Sequence, residues 1–306
     1  MNSLFEQYLK DAQSKGSLKY VKNRPLSAVS TFGIGGEAAF FVVPSDIQSA
    51  KDVLRTLYTL KERYIVIGNA SNLLFSDYGF DGAVISTKLL SSVYSDNGIL
   101  HAECGVMLPR LCNYAAEKGY TGFEGLCSIP ATVGGAIKMN AGAFGCEISD
   151  TLLSVSVYSP ETNKTTVKSA KECGFSYRHS TAAGENKIIL EAKFTPKTGK
   201  PADILAKMDK NRQTRSKSQP SGVKSAGSYF KKPNAEKSAG ELIDICGLKG
   251  KSVGGAFVSE KHGNFIINKN GSAKASEVLA LAEIIKSTVL EKTGILLKEE
   301  VIYIEK

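Results

Sequence analysis

The strongest constraint on the fold lies between residues 38 and 87, where the apolar pattern predicts a strand, a helix and two further strands in succession. The run AAFFVV at 38–43 is typical of a strand, and the segment PSDIQSAKDVLRTLYTLKER after it carries apolar residues on one helical face. Ser45 and Gln48 have the spacing of a capping box at the start of this helix. RYIVIG and GAVIST then predict two more strands, so the chain opens as a β-α-β unit.

The pattern that follows mixes strand pairs with isolated helices, which is typical of an α+β fold rather than of a repeating β-α series. Strands are predicted at 98–104, 152–158 and 187–195, together with a helix at 107–119 that ends at Gly119.

The pattern changes near residue 198, where we place the main domain boundary. Beyond it, Gly271 and Ser272 are predicted to open a long helix that Gly294 closes. The elements predicted after the boundary are a helix at 201–215, a strand-like SYF at 228–230, a helix at 238–247, a strand at 264–268, the long helix at 272–294 and a last strand at 299–305.

The chain has 306 residues, of which 42% are hydrophobic, and this suffices for two or three domains with their own cores. No apolar run reaches the roughly 18–20 residues that a membrane span needs. The N-terminal segment is amphipathic and mixed in charge, without the apolar centre of a signal peptide. We therefore expect a cytoplasmic protein without a membrane partner.

The cysteines, the histidines and the net charge limit which metals and ligands the protein could bind. The six cysteines are scattered without a C-x-x-C pair, and the three histidines lie far apart, so we expect reduced, mostly buried thiols and no metal site. The formal net charge of +9 indicates either simple solubility or a polyanionic ligand. Because at most two basic residues are adjacent, the charge favours phosphates held in small pockets over a nucleic-acid groove.

A turn rich in small polar residues follows the second predicted strand, within VIGNASNLLFSDYGFDG at 66–82. After Gly68, successive backbone N–H groups can form a concave nest for anionic oxygens, and Ser71 and Asn72 add side-chain donors. An ordinary β-turn is the alternative. The segment is neither a Walker P-loop nor a dinucleotide-binding fingerprint.

A second glycine-rich stretch is CSIPATVGGAIKMNAGAFG at 127–145, in which Gly142 and Gly145 bracket a turn. Small residues let a ligand approach the backbone closely, although tight packing is the alternative explanation. Two such segments together with the positive charge indicate one large ligand that carries a diphosphate.

Three further positions could carry chemistry. Arg178 in FSYRHS has the planar fork that binds carboxylates or phosphates, although a lone arginine is usually a surface residue. Glu299 and Glu300 begin the last predicted strand and should face opposite sides, so that one of them could enter a site. Ser228 in SAGSYFKKP is either part of a turn or a hydroxyl held on bare backbone to meet a substrate.

Several long segments resemble one known family in the same order over nearly the whole chain. They are NRPLSAVSTFGIGGEAAFFVVP, IGNASNLLFSDYGFDGAVI, SIPATVGGAIKMNAGAFGCEISD, YRHS, SAGSYFKKP, GLKGKSVGGAFVSEKHGNFIIN and the terminal EEV. Together they resemble the UDP-N-acetylenolpyruvoylglucosamine reductase family.

The resemblance implies an α+β architecture with two domains. A two-part FAD-binding domain of the vanillyl-alcohol-oxidase type would occupy 1–198, with lobes at about 18–88 and 89–198, and a smaller substrate domain would occupy 199–306. NADPH is expected to reduce noncovalently bound FAD, which then reduces the enolpyruvyl ether of UDP-N-acetylglucosamine to UDP-N-acetylmuramate for peptidoglycan synthesis. NADPH and the UDP-sugar are expected to use one cleft in turn, with no obligate protein partner.

The resemblance also implies roles for individual residues. Ser228 would donate the proton while flavin N5 delivers a hydride, and Arg178 and Glu300 would hold and polarise the substrate carboxylate. The expected substrate-binding residues are Tyr177, Lys232, Lys261 and His262, the last of which could equally be a satisfied buried histidine. The expected FAD-binding residues are Gly68, Asn69, Ala70, Ser71, Asn72, Pro130, Thr132, Gly134, Gly135, Asn140, Gly142 and Arg215.

The chain departs from the family pattern in three places. Ala70 and Ala131 stand where the family usually has glycine, and alanine fits if both have negative φ. Lys232 replaces the asparagine of the usual FKNP, which leaves the phosphate contact there open. About fifty residues separate Arg178 from Ser228, too few for the tyrosine-bearing substrate loop of one subclass. The chain therefore resembles the shorter subclass, with a more open UDP-sugar site.

Three alternatives stand beside this interpretation: another FAD oxidoreductase of the same fold, a basic nucleic-acid-binding module, and a catalytically inactive flavin-binding homologue. The presence of Ser228 and Glu300 argues against the first. The thinly spread charge argues against the second, and the joint presence of Arg178, Ser228 and Glu300 argues against the third.

Overall fold

The computed structural model describes residues 3–306. The α-helices are α1 (Ser3–Ser14), α2 (Ile47–Thr59), α3 (Leu108–Glu117), α4 (Val133–Lys138), α5 (Pro201–Ser218), α6 (Ala239–Ile245) and α7 (Ala275–Thr293). In this part of the chain no helix combines the length and the apolar character that crossing a membrane requires. The six cysteines are free, and five of them are buried, which confirms the prediction that most of them are core residues.

The strands are mostly short. Those in the N-terminal half are β1 (Leu18–Pro25), β2 (Glu37–Pro44), β3 (Tyr64–Ile67), β4 (Leu73–Phe75), β5 (Phe80–Ser86), β6 (Val93–Asp96), β7 (Ile99–Glu103), β8 (Tyr120–Thr121), β9 (Gly142–Ala143) and β10 (Cys146–Glu147). The later ones are β11 (Leu152–Ser159), β12 (Lys164–Ser169), β13 (Ile188–Phe194), β14 (Lys197–Thr198), β15 (Ser252–Val253), β16 (Ala256–Val258), β17 (Ile266–Asn268) and β18 (Ile302–Ile304).

The described chain forms two compact units, and each draws on separate stretches of sequence. The first comprises the described chain up to Lys22 and the segments Ala39–Asn69 and Gly82–Thr214. The second comprises Asn23–Ala38, Ala70–Asp81 and Arg215–Lys306. Two early segments thus group with the C-terminal part of the chain. The domain boundary near residue 198 stays a prediction.

A four-stranded sheet has the order β1-β2-β5-β3, and most of its residues belong to the first unit. Strands β3 and β5 run parallel with Tyr64 opposite Ala83, and α2 lies between β2 and β3 in the sequence, which confirms the predicted β-α-β opening. Phe40 of the sheet and Val53 and Leu57 of α2 belong to one cluster of buried side chains. Burial of these side chains holds the helix against the sheet.

The predicted capping box at the start of α2 is wrong by one residue. Asp46 is the N-cap: its carboxylate accepts from the Ser49 N–H at 2.7 Å, and the Ser49 hydroxyl accepts from the Asp46 N–H at 3.1 Å. Ser45 instead donates its hydroxyl to the backbone oxygen of Ser17 at 2.7 Å. A carboxylate caps a helix at least as well as a hydroxyl, so the adjacent aspartate takes the position.

A second, antiparallel sheet of the first unit has the order β12-β11-β13-β7-β6 and contains the three strands predicted around 98–195. The predicted helix α3 is confirmed, and Gly119 after it has a φ of 70° that suits glycine. Leu111 of α3, Ile137 of α4 and Val155 of β11 belong to the same buried cluster.

The second unit combines the three-stranded sheet β15-β16-β17 with helices α6 and α7 and with the parallel pair β4 and β18. In that pair Ile302 lies opposite Leu73, so the predicted last strand is confirmed but pairs with a strand more than two hundred residues earlier. Phe230, Leu242 and Val278 belong to the core of this unit.

The expected strand at 228–230 is not a strand. Phe230 makes a single bridge to Glu299, while the Asn264 side chain bonds the Phe230 backbone N–H and oxygen where a neighbouring strand would pair. Gly227 has a φ of 81°, which breaks the extended backbone just before Ser228.

The start predicted for the long helix is also wrong, although its end at Gly294 is confirmed by a left-handed cap with a φ of 70°. The helix begins at Ala275, because Lys274 before it has an extended backbone with a φ of −101° and a ψ of 156°. The Asp77 carboxylate accepts from the N–H groups of Ala275 at 2.6 Å and Ser276 at 3.0 Å. A residue 198 positions away thereby caps this helix.

We expect Asp77→Ala to lower the free energy of unfolding by about 1–2 kcal/mol, because two helix N–H groups lose their acceptor. Urea denaturation measures this. Asp81→Ala is the matched control, since within residues 3–306 the exposed Asp81 side chain makes no hydrogen bond, and its effect should stay within about 0.5 kcal/mol. Equal stability losses in both variants would contradict the role of Asp77 as a cap.

Candidate active site

The two glycine-rich segments meet at Gly68. A Cβ atom at Gly68 would overlap the hydroxyl of Thr132, so only glycine permits this approach. Next to it, the Asn69 amide donates to the backbone oxygen of Pro130 at 2.7 Å. The structure therefore brings together the two segments that the sequence analysis assigned to one ligand.

The turn after Gly68 has the form of an anion-binding nest. Ala70 has a φ of 50°, so the expectation of a negative φ is wrong at Ala70, whereas Ala131 does keep a negative φ. In the part of the chain that the structure describes, the backbone N–H groups of residues 69–72 donate to no backbone oxygen. A left-handed residue within a run of unpaired N–H groups fits the oxygens of a diphosphate.

The backbone N–H groups at the start of α4 donate hydrogen bonds to other atoms of the protein. The N–H of Gly134 donates to the Cys104 oxygen at 2.8 Å, and the N–H of Gly135 donates to the Thr132 hydroxyl at 3.4 Å. A Cβ at Gly134 would lie 3.0 Å from the Cys104 Cβ. Tight packing thus accounts for Gly134, and the ligand contacts predicted for Gly134 and Gly135 stay predictions.

Arg178 is held by the turn that follows α4. Its guanidinium donates to the backbone oxygens of Gly142 at 3.0 Å and Asn140 at 3.4 Å and lies 4.9 Å from the centre of the Tyr177 ring. Arg178 and Asn140 have φ values of 53° and 40°, a conformation that is uncommon outside glycine and that often marks functional sites.

Asn140 itself is 1% exposed and leaves one atom without a partner. Its amide nitrogen donates to the Glu147 carboxylate at 2.7 Å, whereas its buried Oδ1 accepts no hydrogen bond. A buried acceptor of this kind is unfavourable alone, which fits a position beside a polar ligand.

Ser228 follows Gly227, whose backbone has a positive φ, and precedes a segment that is held by backbone hydrogen bonds. A Cβ at Gly227 would meet nothing within 4 Å, so glycine is needed here for its positive φ and not for space. Ser228 is half-buried, and Tyr229 and Phe230 after it are buried. The Tyr229 N–H donates to the backbone oxygen of Asn264 at 2.8 Å.

Glu300 is joined to Ser228 through Tyr229. The Glu300 N–H donates to the Tyr229 oxygen at 2.8 Å, and the Asn72 amide donates to the Glu300 oxygen at 3.0 Å. Glu299 is exposed and forms an ion pair with Lys286 at 2.8 Å, while Glu300 is half-buried. The second unit therefore brings together Ser228, Glu300 and the end of the predicted phosphate turn.

Three of the residues expected to bind substrate or FAD, Lys232, Lys261 and Arg215, lie in different surroundings. Lys232 and Lys261 are exposed, and the Lys261 amine donates a hydrogen bond to the backbone oxygen of Ser216. Arg215 is in the last turn of α5, where its backbone oxygen accepts from Gln219 at 2.8 Å. Their contacts with substrate or FAD stay predictions.

His262 is half-buried, and its imidazole ring makes a hydrogen bond and an aromatic contact. Its Nδ1 accepts from the Asn264 N–H at 3.2 Å, and its ring lies edge-on to Phe265 with 5.0 Å between centres. Burial, together with the charge of Lys249, holds the pKa of His262 below its ordinary value of 6.5. The imidazole is thus neutral near pH 7.

One residue of this region was absent from the sequence predictions. Asn264 contacts both residues that follow Ser228, but a single asparagine between apolar residues carries no local signal for such a role. In residues 3–306 no group of three or more His, Cys, Asp or Glu side chains has the arrangement of a metal site.

We expect the stability of the protein to fall as the pH decreases below about 6.5, because the unfolded chain then protonates His262 while the folded protein resists it. The loss should level off below the lowered folded-state pKa. His262→Gln removes this contribution, so the variant should lose less of its free energy of unfolding between about pH 7.5 and 5.5. Identical pH profiles in urea denaturation would contradict the assignment.

Comparisons with known proteins agree with this geometry. Residues 38–166 match the family model for an FAD binding domain, and residues 219–304 match the model for the UDP-N-acetylenolpyruvoylglucosamine reductase C-terminal domain. The turn at 69–72 and the second glycine-rich segment both lie in the first match. The protein therefore has an FAD-binding domain, and the unpaired N–H groups at 69–72 lie within it.

Whole-chain relatives extend the match. The chain is 40% identical over 302 residues to UDP-N-acetylenolpyruvoylglucosamine reductase of Caldicellulosiruptor bescii, covering 98% of this chain and 94% of the relative. Identity to the same enzyme of Carboxydothermus hydrogenoformans is 42% over 282 residues, covering 92% of each chain. The crystal structure of UDP-N-acetylenolpyruvylglucosamine reductase from Thermus caldophilus superposes with a TM-score of 0.79 at 35% identity, covering 94% of this chain and 98% of that one.

These relatives match nearly the full length of the chain at identities well above the level at which only a fold is shared. The predicted family, the α+β fold with an FAD-binding domain and the assignment as an FAD oxidoreductase are confirmed. The chain belongs to the UDP-N-acetylenolpyruvoylglucosamine reductase family.

Proposed function

We propose that the protein reduces the enolpyruvyl ether of UDP-N-acetylglucosamine to UDP-N-acetylmuramate, with NADPH as the reductant and noncovalently bound FAD as the cofactor. The observation that carries this proposal is the arrangement around Tyr229, whose backbone joins Ser228 to Glu300. The hydrogen bond from the Glu300 N–H to the Tyr229 oxygen holds the segment that carries the Ser228 hydroxyl beside the segment that carries the Glu300 carboxyl group, and the reduction of an enol ether needs a proton donor near the substrate.

Reduction of the enolpyruvyl double bond adds one hydride and one proton. Bound FAD would carry the hydride from NADPH to the terminal methylene carbon of the substrate. The protein then has to stabilise negative charge on the carbon beside the carboxylate and deliver a proton there. The turn at 69–72 would hold the cofactor diphosphate through its unpaired N–H groups.

Ser228 is the proposed proton donor. Its hydroxyl is a weak acid in water, but an enolate is a strong base, so a hydroxyl in contact with the substrate can transfer its proton. Within the described residues the Ser228 hydroxyl has no hydrogen-bond partner. The proposal therefore requires no protein contact of Ser228 to be broken when substrate binds.

Arg178 and Glu300 are the proposed partners of the substrate carboxylate. The guanidinium, held by the backbone oxygens of Asn140 and Gly142, can donate to the carboxylate and stabilise the charge that develops next to it. A charged carboxylate would repel the enolate, so Glu300 would act in its protonated form or within a shared proton network.

The remaining candidates are assigned to substrate and cofactor contacts. Tyr177, Lys232, Lys261 and His262 are proposed to contact the UDP-sugar, with His262 as a neutral hydrogen-bonding group because its pKa is lowered. Arg215 is proposed to contact the cofactor. The scattered free cysteines and the N-terminal segment of mixed charge support a cytoplasmic location.

We expect Ser228→Ala to separate the two half-reactions. Flavin reduction by NADPH needs no serine proton and should stay near the wild-type rate, whereas reoxidation by the UDP-enolpyruvyl substrate should slow by about 10²–10⁴-fold. Ser228→Cys should retain more activity, because a thiol can still donate a proton. Stopped-flow absorbance of the flavin gives both rates. Reoxidation of Ser228→Ala at the wild-type rate would overturn the assigned function of Ser228.

We expect Ala70→Asp to abolish FAD binding, because an added carboxylate repels the cofactor diphosphate and enlarges a buried residue in the turn. Ala70→Gly is the matched control: glycine suits the φ of 50° and should leave FAD binding intact. The absorbance ratio of bound flavin to protein measures occupancy. Full occupancy in a folded Ala70→Asp variant would show that the turn does not bind the diphosphate.

A further inference from the structure

We propose that Asn264 is a positioning residue for proton transfer, and that it orients the Ser228 hydroxyl by clamping the two residues that follow it. The proposal rests on the function of Ser228 given above. It assigns Asn264 no contact with substrate or flavin, so its effect on the reaction is transmitted entirely through the backbone.

The clamp consists of three hydrogen bonds. The Asn264 backbone oxygen accepts from the Tyr229 N–H at 2.8 Å, and its side-chain oxygen accepts from the Phe230 N–H at 2.8 Å. Its side-chain nitrogen donates to the Phe230 oxygen at 2.8 Å. One residue thus pairs with three buried backbone groups of Tyr229 and Phe230, in a segment that belongs to no regular sheet.

The other edge of this segment is bound as well. The Tyr229 oxygen accepts from the Glu300 N–H, and the Lys231 N–H donates to the Lys298 oxygen, both at 2.8 Å. The backbone after Ser228 is therefore fixed from two sides, with Asn264 on one and the segment containing Glu300 on the other.

On the side that precedes Ser228, the backbone of Ser225 is bonded to Thr31, but the nearest residue, Gly227, makes only a long bond of 3.4 Å from its N–H to Ser225 Oγ. Gly227 has a φ of 81°, and a Cβ there would meet nothing within 4 Å. The Ser228 hydroxyl makes no hydrogen bond within residues 3–306. With a permissive glycine before it and no bond of its own, Ser228 takes its orientation from the clamped residues after it.

Asn264 is itself rigidly placed. It is 7% exposed, and its N–H donates to Nδ1 of His262 at 3.2 Å. The turn that carries it is closed by bonds from Phe265 to His262 at 3.0 Å and from Ser259 to Phe265 at 2.9 Å. A buried amide on a closed turn can act as a fixed reference for a neighbouring segment.

Asn268 provides a matched control four residues later. It is 4% exposed and bonds backbone in the same way, donating to the Phe32 and Gly33 oxygens at 3.1 Å and accepting from the Ala273 N–H at 2.9 Å. None of these partners belongs to the Ser228 segment. Loss of either amide leaves buried backbone groups unpaired, so both variants should lower the melting temperature.

The test compares Asn264→Ala with Asn268→Ala as FAD-loaded enzymes in stopped-flow experiments. For Asn264→Ala we expect flavin reduction by NADPH within about twofold of wild type, and reoxidation by the UDP-enolpyruvyl substrate slowed by about 10–100-fold, because a small misplacement of a reacting group costs this much. Asn268→Ala should keep both rates. Equal reoxidation rates in the two variants would overturn the proposal.

A double variant separates positioning from general loss of structure. If Asn264 acts through Ser228, Asn264→Ala should slow reoxidation no further in a Ser228→Ala background. Additive slowing would overturn the proposal. Should Asn264→Ala fail to fold, Asn264→Asp keeps the acceptor for the Phe230 N–H, and it should show the same selective slowing to a smaller extent; wild-type rates would count against the clamp.

The two hypotheses fail in different ways. Wild-type reoxidation in Ser228→Ala would refute the proton-donor role itself. Slow reoxidation in Ser228→Ala, together with wild-type reoxidation in a folded Asn264→Ala, would refute only the positioning role of Asn264.

Discussion

Buried backbone groups must find hydrogen-bond partners, and in the second unit this requirement organises the segment after Ser228. The peptides of Tyr229 and Phe230 are buried but lie outside any regular sheet, so Asn264 and the backbone of Glu300 supply the bonds that neighbouring strands would give. Because Tyr229 bonds Asn264 through its N–H and Glu300 through its oxygen, one residue links the two groups proposed to act on the substrate.

Residues with left-handed backbone occur both in the turn proposed to bind the cofactor and around the arginine proposed to bind the substrate. Ala70 lies in the predicted phosphate turn. Arg178 carries the guanidinium that is proposed to bind the substrate carboxylate, and the backbone oxygen of Asn140 accepts a hydrogen bond from it. Each of these conformations is less favourable for a residue with a side chain, by about 1 kcal/mol or more. Such strain persists where surrounding contacts determine the backbone, as the bonds from Arg178 to Asn140 and Gly142 do here.

The structure shows different reasons for glycine at positions that look alike in the sequence. Gly68 is required because a side chain would overlap Thr132, and Gly134 because it packs against Cys104. Gly227 has open space around it and is required for its backbone conformation. Sequence alone could not separate these cases, since a glycine reports that a side chain is absent without reporting what takes its place.

Local patterns in the sequence determined the β-α-β opening, the helix that ends before Gly119 and the end of the long helix at Gly294, because strand alternation, helical periodicity and left-handed caps depend on neighbouring residues. Ordered motifs determined the family. The tertiary structure alone decided which distant residues complete these elements. Asp77 caps a helix 198 positions away, and Asn72 donates to the Glu300 oxygen 228 positions away. Partners of buried polar groups are chosen by proximity in the folded chain, and periodicity carries no information about proximity over such separations.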